Sequence, residues 1–154
     1  AFPGTGNFND IGAGRGKGYS INIPLPPGSA DDIFCDAIEM TLPAALQFKP
    51  DVVVLSAGFD AHHYDPMLDL KVSVNVFHWL GGLIREHFPN TFATLEGGYY
   101  TEYLTFSIYN FLAGINGLDM AYRENPTESG HHTWQEYELR IHALLGLLRP
   151  YWKW

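Results

Sequence analysis

The sequence predicts an α/β fold in which a parallel β-sheet carries helices on both faces. Short apolar segments alternate with longer segments whose apolar residues recur at helical spacing, and the stretch 51–56 is a continuous apolar run rich in β-branched residues. A continuous run of this kind is typical of a strand that is buried on both faces of a parallel sheet. In such sheets, ligands bind beyond the carboxyl ends of the strands, so the residues at those ends are the candidates for function.

The elements are predicted in the order loop, strand, helix, strand, helix, strand, helix and helix. Residues 1–18 are rich in glycine and are expected to form a loop. Strands are predicted at 19–23, 51–56 and 91–95. Helices are predicted at 31–47, 74–87, 103–118 and 134–148. Pro43 is expected to kink the first helix, and a polar link at 124–130 precedes the last.

Composition excludes several classes of protein. The chain has 154 residues, of which 46% are hydrophobic and 17% charged, so it is not a disordered chain, and no apolar run reaches the ~20 residues that a membrane span needs. A net charge of −8 argues against a nucleic-acid partner and favours a cationic ligand or none. The single cysteine, Cys35, excludes an internal disulfide and is expected to be a packing thiol. It fits a reducing compartment, so we expect a cytoplasmic or otherwise intracellular protein without a membrane partner.

The glycine spacing near the start resembles a nucleotide-binding loop only superficially. Gly12, Gly14 and Gly16 have the spacing of a dinucleotide fingerprint. That fingerprint must follow a strand and open a helix, whereas here the chain runs on into the predicted strand 19–23. We therefore reject the nucleotide interpretation.

Polar residues come after the second predicted strand and allow more than one interpretation. Asp60 suits a divalent metal ion, but it equally suits an Asx turn or a cap. His62 and His63 are possible further ligands, although histidines on polar loops are usually only solvated. Asp65 precedes Pro66, where a carboxylate usually fixes a turn.

A tyrosine behind two glycines comes after the third predicted strand. Gly97 and Gly98 let the backbone bend steeply or pass close to a ligand, and they would bring the Tyr99 hydroxyl to the cleft as a donor to a developing oxyanion. The alternative is a tyrosine that covers the end of the sheet. His131 and His132, in the predicted link, are expected to be solvated.

Three segments together resemble the histone deacetylase family in their order and spacing. They are FPGTG at 2–6 with YSINIPL at 19–25, SAGFDAH at 56–62 with DP at 65–66, and LEGGY at 95–99. The resemblance covers about residues 1 to 115 and is nearest to the class II and prokaryotic branch, which includes acetylpolyamine amidohydrolases and acetoin-utilisation proteins. It implies a three-layer, arginase/deacetylase-like fold and zinc-dependent hydrolysis of an acetyl-lysine-like or acetylpolyamine amide.

The resemblance also implies roles for individual residues. Asp60 matches a zinc ligand, with Fe²⁺ or Co²⁺ as alternative metals, and Tyr99 matches the tyrosine that stabilises the oxyanion. The same comparison implies that His62 is not a ligand. Tyr19 matches a contact of a structural monovalent cation such as K⁺. The residues that match the substrate channel are Phe2, Pro66, Met67, Gly97 and Gly98.

The family pattern places two further zinc ligands and a His-His general base before the point where this chain begins. One carboxylate cannot hold catalytic zinc, which normally takes three protein ligands. The chain also starts without Met, inside a motif. We therefore expect residues 1–154 to be the carboxyl-terminal half of one deacetylase-like domain, comprising the loop 1–18, an α/β core 19–118 and a link with a final helix 119–154. The amino-terminal half, a separate or cleaved chain, would complete the site. A non-catalytic subunit that binds acyl-lysine or polyamine is the alternative.

Overall fold

The computed structural model describes residues 4–154, and this part of the chain contains a small parallel sheet and four α-helices. The strands are β1 (Val53–Ala57) and β2 (Thr91–Leu95). The helices are α1 (Asp31–Phe48), α2 (Val74–His87), α3 (Thr101–Asn116) and α4 (His131–Leu148). Val53 lies opposite Thr91, and Ala57 lies opposite Leu95, so the two strands run in parallel and end at the same edge of the sheet. The order β1–α2–β2 is the parallel α/β unit that the sequence predicts.

Two glycines bring α2 and α3 into close contact. A Cβ on Gly114 would lie 2.1 Å from the carbonyl oxygen of His78, and a Cβ on Gly81 would lie 2.4 Å from the carbonyl oxygen of Phe111. Only glycine allows the two backbones to approach this closely. Beside this crossing lies a buried cluster that includes Phe59 from the loop after β1 and Phe77 from α2. The helix pair thus anchors the loop that carries Asp60.

A second apolar cluster joins α1 to α4. Its buried members are Ile11, Ile33, Ala37, Tyr137, Ile141, Leu144, Leu145 and Leu148. The carboxyl-terminal Trp152 packs against this cluster, and its Nε1–H donates to the carbonyl oxygen of Gly18 at 2.7 Å. Because α4 and the residues after it close over α1, the amino-terminal loop is fixed against the body of the protein.

Two expectations about the sheet are wrong for the residues that the structure describes. Residues 19–23 form no strand, because no neighbouring backbone pairs with them, and Ile21 and Ile23 instead pack on the α1–α4 cluster. The expectation that 51–56 is buried on both faces also fails: Val54 is 58% exposed, and Phe92 beside it in β2 is 55% exposed. A strand is buried only when further elements cover it, and none of the described elements covers these side chains.

The boundaries of α1, α3 and α4 differ from the predicted ones by one to three residues, whereas those of α2 coincide. Helix α1 continues through Pro43, and α3 begins two residues earlier than the spacing predicts. His131 and His132 form the first turn of α4 rather than part of the polar link, although both are exposed as expected. Among the residues described, no helix combines the length and the apolar character required to cross a bilayer.

Candidate active site

The loops after β1 and β2 meet at the carboxyl edge of the sheet. The backbone N–H of Glu96 donates to the carbonyl oxygen of Ala57, and that of Phe59 donates to the carbonyl oxygen of Gly97, both at 3.0 Å. The Asp60 carboxylate rests directly on this junction: a Cβ on Gly97 would lie 2.5 Å from its Oδ2. Glycine at position 97 therefore makes room for the carboxylate.

Asp60 is half-buried and has no cationic partner among residues 4–154. Burial raises the pKa of its carboxyl group, and the negative charge of Asp65 acts in the same direction, while a hydrogen bond from the Asp60 backbone partly opposes the change. No Lys or Arg side chain within residues 4–154 forms an ion pair with it. A nearby cation would favour the ionised form of this partly desolvated carboxylate, so the position suits a bound cation.

Tyr99 comes directly after a turn that only glycine adopts readily. Gly98 has φ +133°, and a Cβ there would lie 2.5 Å from Cδ1 of Leu104. The Tyr99 side chain is 56% exposed, and its hydroxyl forms no hydrogen bond with any residue that the structure describes. The hydroxyl is thus available to a ligand at the edge of the sheet.

The carboxylate of Asp65 connects the two loops. Its Oδ1 accepts the backbone N–H of Met67 at 3.0 Å, which is the turn-fixing bond that the sequence predicts. Its Oδ2 accepts the backbone N–H groups of Tyr99 at 2.6 Å and of Tyr100 at 3.2 Å. The side chain is 6% exposed, so these bonds satisfy a buried charge.

His62 and His63 face one carboxylate, that of Glu124 in the link before α4. The Nε2 atoms of the two histidines lie 3.0 and 3.1 Å from the oxygens of Glu124, and the three side chains have the spacing of a possible metal site. However, Nδ1 of His62 accepts the backbone N–H of Tyr64 at 3.3 Å, so Nε2 carries the proton. A protonated Nε2 donates to Glu124 and cannot bind a metal ion, so we interpret the cluster as a structural clamp.

The burial of this clamp agrees with that interpretation. Burial lowers the pKa of His62, although the hydrogen bond to Glu124 opposes the change. Burial alone would raise the pKa of Glu124, but hydrogen bonds from the Val74 backbone and the two histidines keep it below its usual value. The contacts of His62, His63 and the Val74 backbone with the Glu124 carboxylate hold the link against the Asp60 loop and the start of α2.

The remaining predicted site residues lie at different places. Pro66 and Met67 are exposed on the loop that Asp65 fixes. Tyr19 lies away from this loop junction, beside an apolar pocket of about 440 Å³, where its ring packs edge-on against Trp152. Phe2 is outside the described residues.

Comparison with known proteins decides the family. A family model described as "Histone deacetylase domain" matches residues 1–115. The chain belongs to the histone deacetylase family. It is 40% identical over 114 residues to "Histone deacetylase 10, chloroplastic" of Oryza sativa subsp. japonica, covering 70% of this chain and 26% of the relative. It is 36% identical over 118 residues to "Acetylpolyamine amidohydrolase" of Burkholderia pseudomallei (strain 1710b), covering 75% of this chain and 35% of the relative.

A solved structure of a histone deacetylase has a similar fold. The structure of the histone deacetylase Clr3 matches with a TM-score of 0.87 and 25% identity, covering 99% of this chain and 26% of that chain. The chain therefore has part of the arginase/deacetylase-like α/β fold. It spans only about a quarter to a third of the length of these relatives.

Two features of this histone deacetylase-family site are not evident from sequence. Glu124 lies some 60 residues from the histidines that it binds, and only its acidic character in a polar link marks it. Asp65 is expected to fix its own turn, but its second oxygen reaches a loop 34 residues further along the chain. Contacts at such distances depend on how the two loops pack.

Proposed function

We propose that this chain carries the Asp60–Tyr99 side of the active site of a metal-dependent deacetylase. One observation carries the proposal: a half-buried carboxylate, without a cationic partner in the part of the chain that the structure describes, lies against the Gly97-Gly98 turn that precedes an exposed tyrosine. A cation-binding carboxylate and an oxyanion donor are what hydrolysis of an amide requires at one site. Membership of the histone deacetylase family supports this reaction class.

Asp60 would be one ligand of a divalent ion, for which Zn²⁺ is our first choice and Fe²⁺ or Co²⁺ are alternatives. A bound Zn²⁺ supplies Lewis acidity to the substrate carbonyl and lowers the pKa of a bound water towards ~7. Catalytic zinc normally has three protein ligands, and His62 is engaged with Glu124. The other ligands, and the base that removes a proton from the water, would come from residues outside this chain.

The residues of this chain would stabilise the charge that develops on the acetyl group and would orient the substrate. In the overall reaction, water adds to the acetyl carbonyl carbon, the carbon–nitrogen bond breaks, and acetate and a free amine leave. The Tyr99 hydroxyl would donate a hydrogen bond to the carbonyl oxygen as negative charge develops on it. Gly97 and Gly98 would let the substrate pass close to the backbone, and Pro66 and Met67, together with Phe2, would form walls of the channel.

An acetylated cation is the substrate class that we propose, either an acetyl-lysine side chain or an acetylpolyamine. The net charge of −8 favours a positively charged ligand. A relative named acetylpolyamine amidohydrolase and relatives named histone deacetylase are both similar to this chain, so both substrate types need testing. The expected K⁺ contact of Tyr19 remains a prediction.

Strands from outside these residues would complete the sheet and the metal site. The exposed apolar side chains of Val54 and Phe92 on neighbouring strands, together with Leu95, support this part of the proposal. Burying apolar surface stabilises a protein by ~25 cal/mol per Å². Covering these side chains with further strands or helices would therefore be favourable. A polypeptide that supplies the remaining half of the domain is the partner that we propose.

The test is turnover of a fluorogenic acetyl-lysine peptide and of an acetylated polyamine by the zinc-loaded complete enzyme, meaning this chain together with the rest of its domain. Tyr99→Phe should lower kcat by ~10²-fold or more because the oxyanion donor is lost. Tyr100→Phe is the matched control, since the Tyr100 hydroxyl donates instead to Glu102 on α3 at 3.3 Å, and it should retain activity. Asp60→Asn should lower both zinc content and activity.

Binding of either acetylated ligand without turnover by the wild-type complex would instead support a non-catalytic acyl-lysine or polyamine-binding subunit. Wild-type activity that survives Tyr99→Phe would overturn the role that we propose for the tyrosine.

A further inference from the structure

The Tyr99 ring has few contacts that fix its position. It is 56% exposed, and the residue before it, Gly98, has no side chain that could pack against the ring. The position of the hydroxyl therefore depends on where the backbone of residue 99 is held. Displacing a reacting or stabilising group by about 1 Å is enough to cost ~10²-fold in rate, so this restraint has consequences for activity.

The Asp65 carboxylate holds the backbone of residue 99. Its Oδ2 accepts the Tyr99 N–H at 2.6 Å and the Tyr100 N–H at 3.2 Å, and hydrogen bonds to an ionised carboxylate are about twice as strong as neutral ones. Asp65 is itself held on the Asp60 side: its own N–H donates to the carbonyl oxygen of His62 at 2.8 Å. One side chain thus sets the distance between the loop of the proposed metal ligand and the loop of the proposed oxyanion donor.

We propose that Asp65 is a positioning residue that acts through Tyr99. This inference rests on the function proposed for Tyr99 and adds the residue that holds it in place. The two oxygens of Asp65 have separate partners, because Oδ1 closes the local turn through Met67 and Oδ2 reaches the tyrosine loop. A residue that only closed its own turn would need one oxygen, and asparagine would serve it equally well.

Asp65→Asn tests this difference with little change in shape. The amide has a single oxygen, so its NH₂ group must face either the Met67 N–H or the N–H groups of Tyr99 and Tyr100. In the complete zinc-loaded enzyme, we expect kcat to fall by about 10-fold or more while KM changes by less than about 3-fold. Asp69→Asn is the matched control, because Asp69 lies on the same loop, is exposed, and has a side chain that accepts no hydrogen bond from the residues described.

A double-mutant cycle determines whether Asp65 acts through the tyrosine. In the Tyr99→Phe background, Asp65→Asn should change kcat by less than about 2-fold, because the hydroxyl that it positions is absent. An equal loss in both backgrounds would overturn the proposal, as would unchanged kcat in the single variant. If Tyr99→Phe itself leaves kcat unchanged, the function proposed for Tyr99 fails, and the positioning role fails with it.

Amide hydrogen exchange distinguishes the two failures. Asp65→Asn should speed exchange at the Tyr99 and Tyr100 amides, whether or not the protein turns over substrate. Unchanged exchange would overturn the positioning role of Asp65 but not the function proposed for Tyr99. If the Asp65 variant does not fold, an ester in place of the Tyr99 amide, introduced as the α-hydroxy acid, removes only the N–H that Oδ2 accepts. That protein should lose kcat to the same extent, and full activity in it would contradict the proposal.

Discussion

Replacing Gly114 with alanine should destabilise the protein, although the same substitution usually stabilises a helix. The new Cβ would lie 2.1 Å from the carbonyl oxygen of His78 and 2.9 Å from the backbone nitrogen of Gly82, where ordinary contacts begin at about 3.4 Å. Both neighbours are backbone atoms of α2, so α2 and α3 must move apart. Overpacking of this kind costs ~1–3 kcal/mol, and backbone neighbours place this case near the upper end.

The helix propensity of alanine offsets part of that cost. Alanine is favoured over glycine in a helix interior by ~1 kcal/mol, so the net loss in the free energy of unfolding should be about 2 kcal/mol. For a chain of this size, that loss corresponds to a melting temperature lower by roughly 4–8 °C. Gly82→Ala is the control, because a Cβ at position 82 meets nothing within 4 Å, and it should instead stabilise by up to ~1 kcal/mol.

Urea denaturation monitored by circular dichroism measures both variants against the wild-type chain. The two substitutions should have opposite signs and differ by about 3 kcal/mol in the free energy of unfolding. Equal stability of Gly114→Ala and Gly82→Ala would refute the close approach of the two helices.

The remaining predictions concern the site, the half-buried carboxylate of Asp32 and the cysteine. Gly97→Ala should reduce activity of the complete enzyme by ~10²-fold, because the Cβ would lie 2.5 Å from Oδ2 of Asp60 and displace the carboxylate; activity within 2-fold of wild type would contradict this. Burial alone would raise the pKa of Asp32, but hydrogen bonds from Ser129 and Trp134 keep it below 3.8, so this carboxylate stabilises the fold above pH 3.8. That stability should disappear as the pH falls through the lower folded pKa, and Asp32→Asn should flatten the acid limb of a melting-temperature profile. Burial, together with the smaller effect of the charges of Asp31 and Glu39, raises the pKa of Cys35 to about 12, so iodoacetamide should alkylate the native thiol far more slowly than the urea-unfolded one.

Local pattern was sufficient to predict most elements of the fold. The predicted strand at 91–95 and the predicted helix at 74–87 coincide with β2 and α2. These segments have clear periodicity and clear ends, so propensity and burial favour the same structure. The predicted strand at 19–23 failed because a strand also needs a hydrogen-bonded neighbour, and no sequence pattern within the segment provides one.

Part of the candidate site was also predictable from the sequence, and part was not. Asp60, Gly97, Gly98 and Tyr99 are visible in the sequence because they lie just beyond the strands, and parallel strands bring the residues beyond their carboxyl ends to one edge of the sheet. The roles assigned to them, and to Tyr19, Pro66, Met67 and Phe2, stay predictions. The second bond of Asp65 and the binding of Glu124 to His62 and His63 could not be predicted, because each joins residues more than 30 positions apart.

The sequence by itself determined the family, the parallel α/β class and the identity of the residues at the strand ends. These depend on residue order and local spacing, which are properties of the chain alone. Only the tertiary structure decided that Asp65 spans two loops, that His62 forms a hydrogen bond with Glu124, and that Val54 and Phe92 remain exposed. Each of these depends on a through-space distance or on the presence of a covering layer, and both are set by packing between segments that are far apart in the chain.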